Sequence, residues 1–321
     1  MKTKLIIFLS VIFLLPFFVS AHVKWFVDSS AVLPVEPYNL SDWRVWLAII
    51  SVMIVIAIAF MLERMPSLDK IFPSFFKRIN SPIASLFSIF VGIGLVVFSL
   101  NGYIFAPNLI AGSSFDYAML ALQAIIGVAF ILGLYARLAS IFLFLLYLSA
   151  TMYFGAWELI DALEIIGISL FILLFGRPKW GFKDIALFEN IASRYQSLAI
   201  PLLRIFTGAN LFILGFSEKL FRPDLGITFL HTHNWNFMQM LGFGNYSDYW
   251  FVFSAGIVES LLGLLLILGL LTRLTVFSLA IFFITTLILL GPTELFGHIP
   301  HFAIVMILLA FGSGERLKIG K

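Results

Sequence analysis

Between residues 45 and 312 the chain passes through about nine apolar stretches, each of the length a helix needs to cross the hydrocarbon core of a bilayer. They lie near 45–62, 82–100, 117–134, 138–154, 159–175, 198–216, 250–271, 274–290 and 299–312. No other feature narrows the fold as much. A segment in lipid has no water to satisfy its N–H and C=O groups, so it must be a helix or a strand of a closed barrel. These runs are continuous rather than alternating, which selects helices. Composition agrees, because a chain with 61% apolar and 12% charged residues cannot be wrapped around a water-soluble core. The expected fold class is an all-α polytopic membrane protein, with about nine transmembrane helices after a signal peptide.

The first segment, 1–21, places Lys2 and Lys4 ahead of an apolar core and ends on Val19-Ser20-Ala21, the small-x-small pattern that precedes a signal-peptidase cut. Cleavage there leaves His22 as the first residue; an uncleaved signal anchor is the competing reading. Both put His22 outside the cytoplasm. The inter-helix loops alternate in charge: Arg64, Lys70, Lys77 and Arg78 in one, then Arg137, then Arg177, Lys179, Lys183 and Arg194, then Arg273, then Arg316, Lys318 and Lys321. The opposite loops hold only Lys24, Arg44, Lys219 and Arg222. The positive-inside rule then gives a periplasmic N-terminus and a cytoplasmic C-terminus in a bacterial inner membrane. The net charge of +3 reads as this topology rather than as affinity for nucleic acid.

The chain also contains itself twice. Residues 132–176 lie over 268–312 without a gap, matching Gly133 with Gly269, Arg137 with Arg273, Gly155 with Gly291, Glu158 with Glu294 and Gly176 with Gly312. Upstream, 88–107 lies over 204–223. Two four-helix units in parallel orientation are expected: 82–176, and 198–312, which adds an outer His-bearing insertion near 226–247. A segment with the first transmembrane helix (22–81), a cytoplasmic linker (177–197) and a tail (313–321) complete the organisation. Where the second unit has Arg204, Glu218, Lys219, Glu259 and His298, the first has Ser88, Gly102, Tyr103, Gln123 and Ala162. The ionisable groups have collected in the second unit, and the functional site is expected there.

The run LLRIFTGANLFILGFSEKLFRPDL followed by GIVESLLGLLLILGLLTRLT resembles the DoxX family of four-helix membrane proteins. Arg204, Gly208, Gly215, Lys219, Leu220, Glu259, Gly263, Gly269 and Arg273 carry the resemblance, which covers 198–312 well and 82–176 weakly. It implies a quinone-linked redox role, as a redox or accessory membrane subunit of a quinone-dependent oxidoreductase with a periplasmic or membrane redox partner. The chain has no cysteine, so thiolate metal ligands and iron–sulfur clusters held by its own residues are excluded.

Two sets of residues are candidates for chemistry. Arg204, Glu218, Lys219 and Glu259 are intramembrane or membrane-edge charges, which face a bundle interior and need partners; a Lys219–Glu259 pair is the easiest in geometry, and a quinone or proton path competes with a purely structural ion pair. The second set is His22, His231, His233, His298 and His301, all expected on the outer side, with Glu294 beside them. An N-terminal His22 offers its amino group and ring together, His231 and His233 chelate copper or zinc if the chain is extended there, and Glu294, His298 and His301 share a face if helical. Pro300 argues instead for a loop or a helix start. Glu158, Asp161 and Glu164 read as solvated helix-end acids in preference to a cation site. The functional readings are a quinone-linked subunit, a copper- or zinc-handling protein, and a membrane scaffold without catalysis.

Overall fold

The computed structural model describes residues 23–25, 27, 32–64, 80–176, 181–182, 185–233 and 235–319. Its long helices are α1 (Trp43–Glu63), α2 (Asn80–Leu100), α3 (Ser114–Leu132), α4 (Ala136–Phe154), α5 (Glu164–Phe175), α6 (Ala186–Tyr195), α7 (Ala199–Leu214), α8 (Pro223–His233), α9 (Asp248–Leu268), α10 (Thr272–Leu290) and α11 (Pro292–Phe311). Short helical turns precede α5 and follow α8. Every apolar stretch expected to span is helical, and no strand occurs among the described residues. The chain is an all-α membrane protein. Large apolar side chains point outward, with Met152 89% and Ile125 65% exposed, an arrangement tolerable only against lipid.

Eight helices form a closed ring. Neighbours in the chain pack together from α2 to α5 and again from α7 through α9 and α10 to α11, while α5 packs on α7 and α11 on α2. The last helix of each four-helix segment therefore seals against the first helix of the other. One apolar core runs through all of them, from Phe87 and Val91 through Phe130 and Phe171 to Leu203, Leu266 and Leu308. Helix α1 stands outside the ring against α9, and Glu63 reaches across to accept from the Leu271 N–H at 3.0 Å.

The same local devices recur at positions matched by the sequence alignment. Helices α3 and α9 both end on a left-handed glycine, Gly133 and Gly269, the conformation for which a Cβ is a penalty. Arg137 Nε donates to Leu173 O at 3.1 Å and Arg273 Nε to Leu309 O at 3.0 Å, so each guanidinium caps the last carbonyls of a helix that has no water to do so. The first two helices of each segment cross on bare backbone. A Cβ on Gly127 would stand 2.7 Å from Gly92 O, and one on Gly208 would stand 2.7 Å from Gly263 O. Small residues at such crossings let helices approach in lipid, where no hydrophobic effect drives them together.

Two expectations need correction. The His-bearing insertion begins not as a loop but as helix α8, because Pro223 is preorganised for a helix's first turn and Leu225, Phe229 and Leu230 bury one face of it. Pro300 does not start or break a helix: α11 runs through it, and its ring packs where a Cβ on Gly94 would lie only 3.0 Å away. The linker contains α6, which leads through a tight turn into α7 and exposes Leu187 and Ile191.

Gly263→Val is expected to lower the unfolding temperature in detergent, since overpacking a closed crossing costs about 1–3 kcal/mol. Gly112→Ala, where nothing lies within 4 Å of the added carbon, should leave the melting curve unchanged. Equal melting temperatures for the two variants would remove the crossing from the account of stability.

Candidate functional site

The helix begun by α7 does not stop at Leu214 but widens into a π-helical turn, Gly215–Leu220, closed by the Phe221 N–H to Phe216 O at 2.8 Å. Such turns are rare and concentrate at functional positions. Here it buries two neighbouring charged residues, Glu218 and Lys219, both at 0% exposure. Lys219 Nζ donates to Glu259 Oε2 on α9 at 2.5 Å. The matched place in the first segment is neutral: Gln123 Nε2 donates to Tyr103 O at 3.1 Å, Leu95 O at 3.2 Å and Ser99 Oγ at 3.0 Å, while its Oε1 accepts from Phe105 N–H at 3.0 Å. One site is a satisfied amide knot and the other a buried ion pair.

Glu218 faces a different neighbourhood. Its Oε2 accepts from the Val23 N–H at 3.0 Å, and its Oε1 lies 3.9 Å from Lys24 Nζ, which is also 3.6 Å from Asp161 Oδ1. Asp161 sits on the turn before α5, held by Tyr147 Oη donating to Leu159 O at 2.8 Å and by Asn210 Nδ2 donating to Ile160 O at 2.9 Å. Three residues on, Glu164 Oε1 lies 3.5 Å from His301 Nε2. The His301 ring is 5.1 Å from that of His298, and His298 is 5.2 Å from Trp25. Four buried carboxyl groups and two ammonium groups thus converge from both halves of the ring and from the N-terminal turn, Val23–Trp25.

That turn opens an N-terminal strap. Leu33 N–H donates to Thr228 Oγ1 at 3.0 Å on α8, Tyr38 Oη to Tyr249 O at 3.1 Å, and Tyr249 Oη to Pro37 O at 3.1 Å. Burial pushes the Tyr38 phenol well above its ordinary range. Val23 packs with Leu225, Phe229 and Val252. The strap and α8 together cover the end of the ring at which the charges meet.

Arg204 does not join the cluster. Its guanidinium donates to Ile267 O at 3.1 Å and to the carbonyls of Leu266 and Leu317, and at 1.5 Å per residue it stands roughly 20 Å down the helix from Lys219. It caps α9, as Arg273 caps α11. The histidines part company as well. His231 is exposed, 3.8 Å from Asp248 Oδ2, and His233 stacks on Phe229. Both lie on the last turn of α8, so the extended chelate is not formed, since helical neighbours two apart point to different sides. His298 and His301 are buried with Phe283. His22 and the Glu294 side chain lie outside the described residues. Among the described residues no three His, Cys, Asp or Glu side chains stand together as a metal site.

Asp161 and Glu164 are the residues sequence reasoning underrated: of the three helix-end acids only Glu158 is exposed. Their signal was an i, i+3 pair of acids at the edge of an apolar run, together with Lys24, one of few basic residues on the same expected side.

Lys219→Met should destabilise the protein by about 3–5 kcal/mol, because it leaves a buried carboxylate without its counter-ion. Lys219→Met with Glu259→Leu should recover most of that loss in thermal unfolding. A double variant as unstable as the single one would show that the pairing is not what holds α7 to α9 here.

Residues 199–292 match the DoxX family model. No curated protein and no solved structure matches the chain.

Proposed function

Because residues 199–292 of this polytopic membrane protein are a DoxX domain, we propose that the chain is a quinone-linked accessory subunit of a membrane redox system. Its part is to hold and pass protons at the strap-covered end of the helix ring. The observation that carries this reading is the burial of Glu218 and Lys219 on one π-helical turn, facing Glu259 and Asp161. In the proposed topology that end lies on the periplasmic face of an inner membrane, with the C-terminus in the cytoplasm.

The residues fit the polar head of a quinone. Lys219 offers ammonium N–H donors for a carbonyl oxygen, and Glu218 Oε1 and Glu259 Oε1 are buried carboxyl oxygens that make no hydrogen bond. A bound quinone would supply two-electron, two-proton chemistry. The chain's own contribution is a donor at Lys219 Nζ, proton acceptors at Glu259 and Glu218, and an acidic continuation through Asp161. The strap and α8 exclude water above them. Electrons pass to a redox partner. Copper or zinc handling has less support, because exposed His231 and Phe229-stacked His233 point to different sides of α8 and His298 and His301 are buried.

A short-chain benzoquinone titrated into the detergent-purified protein should quench its tryptophan emission saturably. Glu259→Gln removes the same buried pairing and lowers stability, and in the folded fraction it should keep binding while slowing proton uptake on reduction of the bound quinone. Lys219→Gln should weaken binding at least tenfold, worth about 1.4 kcal/mol. Unsaturable quenching by the wild type, or equal affinity in Lys219→Gln, would overturn the assignment.

A further inference from the structure

Lys24 is not used by the proton-handling reading, yet its surroundings are specific. The Nζ atom stands 3.6 Å from Asp161 Oδ1, 3.9 Å from Glu218 Oε1 and 5.3 Å from the centroid of the Trp157 ring. Two carboxylates and an aromatic face around one nitrogen are a recognition set for an ammonium ion. Asp161 and Glu218 are fully buried, but both Asp161 oxygens, Glu218 Oε1 and Lys24 Nζ itself make no hydrogen bond. The nitrogen is near enough for charge attraction and too far for hydrogen bonding.

The two sides of this contact differ in how they are held. Asp161 is fixed by the turn that Tyr147 and Asn210 brace, and Glu218 by the π-helical turn. The ammonium comes from a three-residue turn at the tip of the strap. Its side chain keeps 19% exposure and Trp157 55%, while the nitrogen itself is buried, so an external ammonium reaches this place only along the path the Lys24 side chain occupies. An untethered primary ammonium can bring three donors to these oxygens, where Lys24 Nζ stands at 3.6 and 3.9 Å.

We propose that Asp161, Glu218 and the Trp157 ring form a binding site for a primary ammonium group, which the strap fills with its own Lys24 and which an external alkylammonium occupies when Lys24 is withdrawn. The free ion and the amine headgroup of a lipid share this chemistry. The site shares Glu218 and Asp161 with the quinone-linked reading but needs neither Lys219 nor Glu259, so loss of quinone binding in Lys219→Gln leaves it standing.

The test is thermal unfolding of the full chain carrying Lys24→Ala, in detergent, with propylammonium, tetramethylammonium or sodium chloride at equal ionic strength. Propylammonium should recover about half or more of the lost melting temperature through selective binding to the folded state. The other two salts should not, and Lys24→Ala with Asp161→Asn should not respond. Nanodiscs with phosphatidylethanolamine that restore Lys24→Ala without added amine, where phosphatidylcholine does not, identify the lipid as the source; recovery only with added propylammonium identifies the free ion. Recovery by all three salts alike, or by none in detergent and neither lipid, overturns the site. If Lys24→Ala does not fold, Lys24→Met keeps the side chain's length and carries the same comparisons.

Discussion

In lipid, a charged group or a helix end has only the protein itself to pair with, and the arrangement of this molecule depends on that constraint. At one end of the ring it is met by guanidinium groups laid on helix-terminal carbonyls: Arg137 on α5, Arg204 on α9, Arg273 on α11. Arg204 looks like an intramembrane charge in the sequence and acts as a cap, as the loop arginines Arg137 and Arg273 do. At the other end there are more acids than cations, and they draw side chains from three separate parts of the chain into one network.

The two halves differ in what they carry at matched positions. Both have two glycine-lined helices in backbone contact, a left-handed glycine cap, and an arginine on the terminal carbonyls. At the place where the first half closes this frame with Gln123, whose amide is fully engaged and uncharged, the second has Lys219 and Glu259. A neutral amide knot holds helices together without offering a proton. An ion pair carries titratable groups as well, and against an apolar replacement it adds little stability.

Much of this was legible in the residues. The spanning helices followed from run length, the paired glycines and arginines from the internal match, and the Lys219–Glu259 contact from the register of two adjacent helices. The behaviour of the histidines was not. His231 and His233 needed an extended backbone to chelate, and α8 is helical from Pro223 onward, its apolar face packed on α9; Pro300, a breaker in isolation, is carried within α11 by packing against a glycine-bearing helix.

The sequence by itself determined that the protein lives in a membrane, that it is helical, and that its ionisable residues gather in its second half, because hydropathy and pattern are local properties of the chain. Only the tertiary structure decided that Asp161 and Glu164 from the first half face Glu218 and His301 from the second, and that Lys24 closes the group. Those contacts depend on α5 sealing against α7, on α11 sealing against α2, and on a strap folding back under α8. No local propensity encodes such closures, since they arise when eight helices bury one shared core.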